Sequence, residues 1–386
     1  MNLMKVYQYW SPGKVIFGPN SLLELGNIIG SKDIPLIVTD KGVREAKILE
    51  KVTDVLDSAG RKYSVFDGVV PTPPMKAIEE AAVIFKNQNC TSVVGLGGGS
   101  SIDGAKSVSI KVSQEGNLRE YGAGREIKGS MPPIYAIPTT AGTGSEVTAS
   151  ALIADDENQR KIIFRASQLA PKVAILDPLL LGTIPSKVAA ETGADALTHA
   201  IEAYVSLNGN PITDAIAISA IKLIARYLRR VVANPGDMEA AGQMLIGSCM
   251  AGLSFQNAGL GLVHALANPL DVYCYHISHA LLCALYLPVV MEFNTPACSE
   301  KFVSIAEAMG EDVKGFPSVR KAARQAISAV RDLFNDIGIP KTFSDIGIRF
   351  ELKPEMIESI LVSPAAKLNP RKTEKDQIAR LFETPK

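Results

Sequence analysis

With 386 residues the chain exceeds what one compact core usually holds, so two domains are expected. Apolar residues make up 47% and charged residues 21%, and 40 Lys+Arg offset 40 Asp+Glu, a balance that supports neither nucleic acid nor an anionic membrane surface as a partner. The opening MNLMKVYQYW lacks the apolar stretch of a secretory signal, and the longest apolar run, ALLCALYLPVVM (280–291), is too short to span a bilayer. Five scattered cysteines without a CxxC pair read as reduced thiols, so the chain is expected to be cytoplasmic and free of membranes.

In chain order, VYQYWSPGKVIFGPNSLLELG (6–26) reads as a small hairpin leading into a helix. IPLIVTD (34–40) is a buried-strand pattern, followed by the amphipathic helix GVREAKILEKVTDVLDSAG (42–60). YSVFDGV (63–69) is a strand, MKAIEEAAVIFKNQN (75–89) a helix, TSVVGLG (91–97) a strand, SSIDGAKSVSIKVS (100–113) a helix and PPIYAIPTT (132–140) a strand. Alternating strands and helices predict a Rossmann-like parallel sheet with helices on both faces. From about residue 186 the pattern turns helical, through VAAETGADALTHAIEAYVS, TDAIAISAIKLIARYLRRVVA, MEAAGQMLIGSCMAGLSF and SVRKAARQAISAVRDLFNDIG. The expected architecture is therefore an α/β dinucleotide-binding domain over 1–185 and an all-helical, metal-binding domain over 186–386.

GLGGGSSIDGAK (95–106) sits between a strand and a helix. Gly97, Gly98 and Gly99 let backbone approach a phosphate closely, and Ser100 adds a hydroxyl or caps the helix. A plain strand-to-helix turn accounts for the glycines alone equally well. A second loop, IPTTAGTGSEVTAS (137–150), follows the next strand and carries Thr139, Thr140, Thr143 and Ser145. Two such loops on consecutive strands suggest one nucleotide lying across the strand ends. Asp40, ending its strand, either accepts from a ribose hydroxyl, favouring NAD over NADP, or caps the next helix.

The four histidines, His199, His264, His276 and His279, all lie in the helical half. Asp195 and His199 are i and i+4 on one otherwise apolar helix face. A mixed oxygen and nitrogen donor set suits Fe²⁺, Mn²⁺, Co²⁺ or Zn²⁺, and such a cation beside a nicotinamide would polarise a carbonyl or alkoxide oxygen.

Taken together, GGGSSIDGAK, PTTAGTGSEVT, LAPKVAILDP, ETGADALTHAIEAYVS, AGLSFQNAGLGLVHALANPL and YLPVVMEFN resemble the iron-dependent (group III) alcohol dehydrogenase family, of dehydroquinate synthase-like fold, over nearly the whole chain. The resemblance implies that a pyrophosphate lies on Gly98, Gly99 and Ser100, and that the TTAGTGSE loop and Lys161 line the cofactor site. It implies Asp195, His199, His264 and His279 as ligands of Fe²⁺, with Zn²⁺ as a substitute. It also implies NAD(H), or NADP(H), as cofactor, a small alcohol or aldehyde as substrate, and a homodimer or larger homo-oligomer.

The sequence departs from the family pattern beside the reacting centre. Asn268 stands where a second histidine of HxxxHP is common, and asparagine does not titrate. Ser278 and Ala280 flank His279 where PHG is usual. His276 is then an alternative ligand or a substitute proton relay. Phe255, Leu260, Tyr273 and Tyr275 suggest a less polar aldehyde. Two other readings stay open: an oxo-acid reductase or transhydrogenase, for which Arg165 and Arg371 are candidate carboxylate contacts, and a nucleotide-binding protein with a degenerate metal site.

Overall fold

A computed structural model describes residues 6–158, 160–273, 277–348 and 352–385. The chain divides into two compact units, Ser11–Ile184 and Pro185–Lys386, and residues 6–10 belong with the second. The backbone of Trp10 is clamped there by Asn257, which accepts from its N–H at 2.6 Å and donates to its carbonyl at 2.9 Å. The sequence division at 185/186 therefore differs from the observed one chiefly in this N-terminal strip.

The first unit is built on strands β1 (Lys14–Phe17), β2 (Pro35–Asp40), β3 (Ser64–Val69), β4 (Ser92–Gly97), β5 (Ile134–Pro138), β6 (Ser150–Asp155), β7 (Arg160–Arg165) and β8 (Val173–Leu176). Six of them form one sheet in the order β1-β8-β5-β4-β2-β3, and every pairing in it is parallel. Alternate side chains feed two cores. Leu36, Val38, Val93 and Ile134 face one way, toward helices Met75–Asn87 and Gly99–Ser113. Ile37, Val94, Leu96, Tyr135, Ile137 and Ile175 face the other, toward helix Ile48–Ser58. Burial on both faces is why these strands read as nearly continuous apolar runs.

One expectation fails in this unit. The N-terminal segment forms no hairpin. Lys14–Phe17 pairs parallel with β8 at the sheet edge, so its partner lies some 160 residues away and leaves no local trace. An antiparallel ribbon, β6 with β7, was also not predicted. Its alternation is visible in SALIAD and RKIIFR, yet the connecting residues carry no Asn-Gly or Asp-Gly turn signal.

β2 and β4 are neighbours, but the chain leaves β2 toward β3 on one side and returns to β4 on the other. Their carboxyl ends, Asp40 and Gly97, therefore flank a topological switch point, where open α/β sheets bind ligands.

The second unit is helical in its principal elements, Ser186–Val205, Pro211–Ala233, Met238–Ala258, Leu262–Tyr273, His279–Met309 and Val319–Asp336. Helix Ser186–Val205 is buried on most sides and packs closely on its neighbours. A Cβ at Gly193 would lie 2.2 Å from Leu228 Cδ1. The apolar run 280–291 proves to be part of a 31-residue helix that is long and apolar enough to cross a membrane. Leu281, Leu282, Cys283, Leu285, Tyr286 and Leu287 are nevertheless buried inside the unit, which marks it as a core helix.

Candidate metal centre and nucleotide loops

Helix Ser186–Val205 projects Asp195, His199 and Glu202 into the interior of the helical unit, all at most 5% exposed. His264 enters from helix Leu262–Tyr273 and His279 from the first residue of helix His279–Met309. Ser278 makes that last start possible. It is the N-cap, its Oγ accepting the Leu281 N–H at 3.1 Å and donating to Glu191. The serine that replaces the proline thus supplies a capping bond in its place.

The predicted ligands converge. Asp195 Oδ1 lies 3.7 Å from His199 Nε2 and 3.8 Å from His264 Nε2. The His199 and His264 rings stack at 4.7 Å, and the His264 and His279 rings lie 5.4 Å apart. Donor atoms of Asp195, His264, His279 and Cys283 all fall within 4.8 Å of one another. Cys283 was not anticipated. Its signal was its i+4 spacing from His279, masked by the apolar run around it.

Outer carboxylates orient the rings. Glu202 Oε2 accepts a hydrogen bond from His264 Nδ1 at 2.6 Å, while its Oε1 accepts the Val263 N–H at 2.6 Å. Asp271 Oδ2 does the same for His279 Nδ1 at 2.7 Å. Both rings therefore present Nε2 as a lone-pair donor. Glu202 and Asp271 escaped sequence reading because their partners lie 62 and 8 residues away in spacings without a motif.

Two buried atoms test whether a cation belongs here. Asp195 Oδ1 and His264 Nε2 have no hydrogen-bond partner. Leaving such atoms unpaired inside an apolar helical unit is costly, and a divalent cation satisfies both at once. The side chains of Asp195, Glu202 and Asp271 are each 4% exposed, so three carboxylates crowd the same space. Burial alone would depress the His264 pKa, but the Glu202 hydrogen bond and the charges of Glu202, Asp195 and Asp271 outweigh it and leave it raised. Burial also pushes the Cys283 thiol well up, and the charges of the same three carboxylates add to it. Such a negative pocket is completed by a cation. The His279 side chain is 33% exposed, which leaves one side of the donor set open, as catalytic metal sites require.

In the first unit the glycine loop opens helix Gly99–Ser113. Its first bonds run from the Ser101 and Ile102 N–H groups to the Gly98 carbonyl, so the Gly99 and Ser100 N–H groups stand free of the helix ladder at its start. Gly97 has φ 140°, and a Cβ there would meet Ser101 Oγ at 2.6 Å. At Gly99 a Cβ would strike Thr143 at 2.7 Å, which shows how closely the second loop abuts the first. Asp40 does cap the next helix, accepting the Val43 N–H at 3.0 Å, while its other oxygen accepts from Ser101 Oγ at 3.0 Å. Thr139 donates its N–H to the Gly97 carbonyl at 3.0 Å, and Ser100 Oγ accepts the Thr72 N–H at 3.2 Å. Thr140 and Thr143 are half-buried, whereas Ser145 is buried and hydrogen-bonds inward to Asp103. Lys161 lies in β7 opposite Ala154.

Beneath these loops sits a buried ion cluster that the sequence did not reveal. The Lys106 ammonium, fully buried, donates to the Thr148 carbonyl at 2.9 Å and the Ser150 carbonyl at 2.8 Å, tying the glycine-loop helix to the second loop. Burial lowers its pKa to about 8, against the opposing charges of Asp103 and Glu146. Burial likewise raises the Glu146 carboxyl to about 7.

Of the remaining candidates, Phe255 packs its ring 4.6 Å from that of His199. Asn268 is half-buried in the His264 helix. Tyr275 and His276 lie outside the described residues, as does the Tyr273 side chain. Arg371 is engaged elsewhere, donating to the Phe293 carbonyl at 2.8 Å and stacking on its ring, and Arg165 is exposed at the end of β7. Among the described residues no disulfide forms.

Two predictions follow from these contacts. Glu202→Gln leaves one acceptor oxygen for two donors, the Val263 N–H and His264 Nδ1, and removes the charge, so metal affinity measured by chelator competition should fall on the order of 10- to 100-fold with the fold retained. Glu146 is more readily protonated in the folded state than unfolded, so its stabilising contribution is full below about pH 4.5 and is lost as pH rises through about 7. Glu146→Gln removes that loss. In urea titrations at pH 5 and 7.5 the variant should gain on the parent by roughly 2 kcal/mol between the two.

Comparison with known proteins agrees with this geometry. Residues 12–178 match the family model for iron-containing alcohol dehydrogenase, and 189–385 the model for the C-terminal part of the Fe-containing alcohol dehydrogenase family. The chain is 40% identical over 383 residues to 1,3-propanediol dehydrogenase of Klebsiella pneumoniae, covering 98% of each. A crystal structure of 1,3-propanediol oxidoreductase superposes with a TM-score of 0.94 at 39% identity, covering 99% of this chain and 100% of that one. Sulfoacetaldehyde reductase from Bifidobacterium kashiwanohense, solved with NAD⁺, gives 0.87 at 29% identity and 99% coverage of both. The chain belongs to the iron-containing alcohol dehydrogenase family, with its dehydroquinate synthase-like fold, and is a metal- and NAD(P)-dependent alcohol/aldehyde oxidoreductase.

Proposed function

We propose that the protein interconverts a small primary alcohol and its aldehyde, with NAD(H) bound by the first unit and Fe²⁺ by Asp195, His199, His264 and His279 of the second. The observation that carries this reading is the buried pair Asp195 Oδ1 and His264 Nε2, unpartnered and flanked by imidazoles whose other nitrogens are already committed to carboxylates. A divalent cation held there supplies Lewis acidity to a substrate oxygen, and the nicotinamide supplies or takes the hydride.

The chain's own residues do the rest. Gly97, Gly98, Gly99 and Ser100 bring backbone N–H groups to the pyrophosphate, with Thr139, Thr140, Thr143, Ser145 and Lys161 completing or supporting that surface. Asp40 keeps acceptor capacity beyond its two internal bonds, which a ribose hydroxyl would use. Its charge disfavours a 2′-phosphate, so NAD is preferred over NADP. Glu202 and Asp271 hold His264 and His279 in the tautomer that presents Nε2. Phe255 lends the pocket an apolar wall. Asn268 cannot exchange a proton by titrating, which leaves that task to His276. The oxo-acid reading has no support in Arg371, which is committed to Phe293.

Anaerobic NADH and NADPH oxidation by Fe²⁺-loaded protein, with a panel of aldehydes and oxo acids and a chelated control, tests the assignment. Metal-dependent turnover of aldehydes with NADH preferred is expected; turnover of oxo acids alone would overturn it. In the same assay His276→Gln should cut turnover on the order of 100-fold and flatten the pH profile without changing metal content.

For partners, the finer reading is a homo-oligomer in the cytoplasm. Among the described residues β1 pairs with β8 alone, and it ends in Phe17, 63% exposed, an edge suited to a second copy. Light scattering should give a dimer or larger species, and a monomer at micromolar concentration would remove this reading.

A further inference from the structure

The ligand set implied by the family is one carboxylate and three histidines, but the side chains around the orphaned Asp195 and His264 atoms include a sulfur. Cys283 is fully buried, one helical turn beyond His279 and on the same face. Its Sγ lies 3.5 Å from His279 Nε2, within hydrogen-bond reach of the ring nitrogen that Asp271 does not engage. Its Sγ, the Asp195 carboxylate and the open nitrogens of His264 and His279 all lie within 4.8 Å of one another. Donors to one cation stand about 2.0–2.3 Å from it, so atoms this close can share one ion after small side-chain adjustments.

Resting on the metal-site reading above, we propose that Cys283 is a metal ligand of this protein, converting an oxygen–nitrogen site into an oxygen–nitrogen–sulfur site that retains Zn²⁺ and Co²⁺ in preference to Fe²⁺. The chemistry is substitution without redox. The S–H bond breaks, its proton leaves to solvent, and the sulfur electron pair forms the bond to the cation. Thiolate is a softer donor than carboxylate or imidazole, and Fe²⁺ already lies below Co²⁺ and Zn²⁺ in intrinsic affinity for such sites. A sulfur donor widens that gap. The remaining ligands are unchanged, so the site still binds Fe²⁺ when it is supplied in excess.

The experiment is spectroscopic and independent of turnover. Metal-free protein is titrated with Co²⁺ under argon, and the visible ligand-field and near-ultraviolet regions are recorded for the parent and Cys283→Ser. The parent is expected to show both the ligand-field bands and an intense sulfur-to-cobalt charge-transfer band. Cys283→Ser should keep the former and lose the latter, and in competition with Fe²⁺ its preference for Zn²⁺ should drop at least about tenfold. Ligand-field bands in the parent without charge transfer would overturn the proposal while leaving the metal site intact. A charge-transfer band that survives in Cys283→Ser would assign the sulfur to another cysteine and overturn it too. Failure of the parent to bind Co²⁺, Zn²⁺ or Fe²⁺ would defeat the metal-site reading itself. The parent spectrum decides the main point even if the variant folds poorly.

Discussion

The helical unit depends on one electrostatic constraint. Its interior holds three carboxylates, Asp195, Glu202 and Asp271, which an apolar helical core cannot keep charged without compensation. The Glu202 bonds to His264 Nδ1 and the Val263 N–H satisfy one of them and fix the direction of the ring. The Asp271 bond to His279 repeats the device. What remains is Asp195, whose Oδ1 faces imidazole nitrogens from two helices and has nothing to bond. The segment that carries His264 comes close to Glu202 at a glycine, since a Cβ at Gly261 would lie 2.9 Å from Glu202 Oε1. Packing and charge balance thus point at one spot, and a cation there completes both.

The sheet unit solves a related problem with different chemistry. The anchoring of its glycine and threonine loops comes from below. Lys106 supplies it, a fully buried ammonium that bonds carbonyls on the second loop while belonging to the helix that starts at the first. Asp40 and Ser101 join neighbouring strand ends in the same way. Asp40 is both the helix cap and a carboxylate at the switch point, so the two sequence readings of it do not exclude each other. Buried charges hold the loops in register.

The departures from the family motifs gain physical content in this setting. Ser278 replaces a proline and restores the helix start by capping it. Asn268 occupies a half-buried place where a titrating ring is common. Cys283 adds a soft donor beside His279. Ser278 and Cys283 flank His279, and Asn268 shares a helix with His264, so all three lie near the proposed ligands.

The sequence by itself determined the alternation of strands and helices, the switch to an all-helical half, the glycine loop between strand and helix, and the i, i+4 pair Asp195 and His199. Each rests on local periodicity or on spacing within one element, which short-range sterics impose whatever the rest of the chain does. Only the tertiary structure decided that Lys14–Phe17 pairs with β8, that β6 and β7 form a ribbon, and that Glu202 reaches His264 across 62 positions. It alone separated a buried structural Lys106 from a surface one and placed Cys283 among the donors. These are contacts between residues distant in the chain, chosen by packing and by the cost of burying unpaired polar groups, and no local pattern records them.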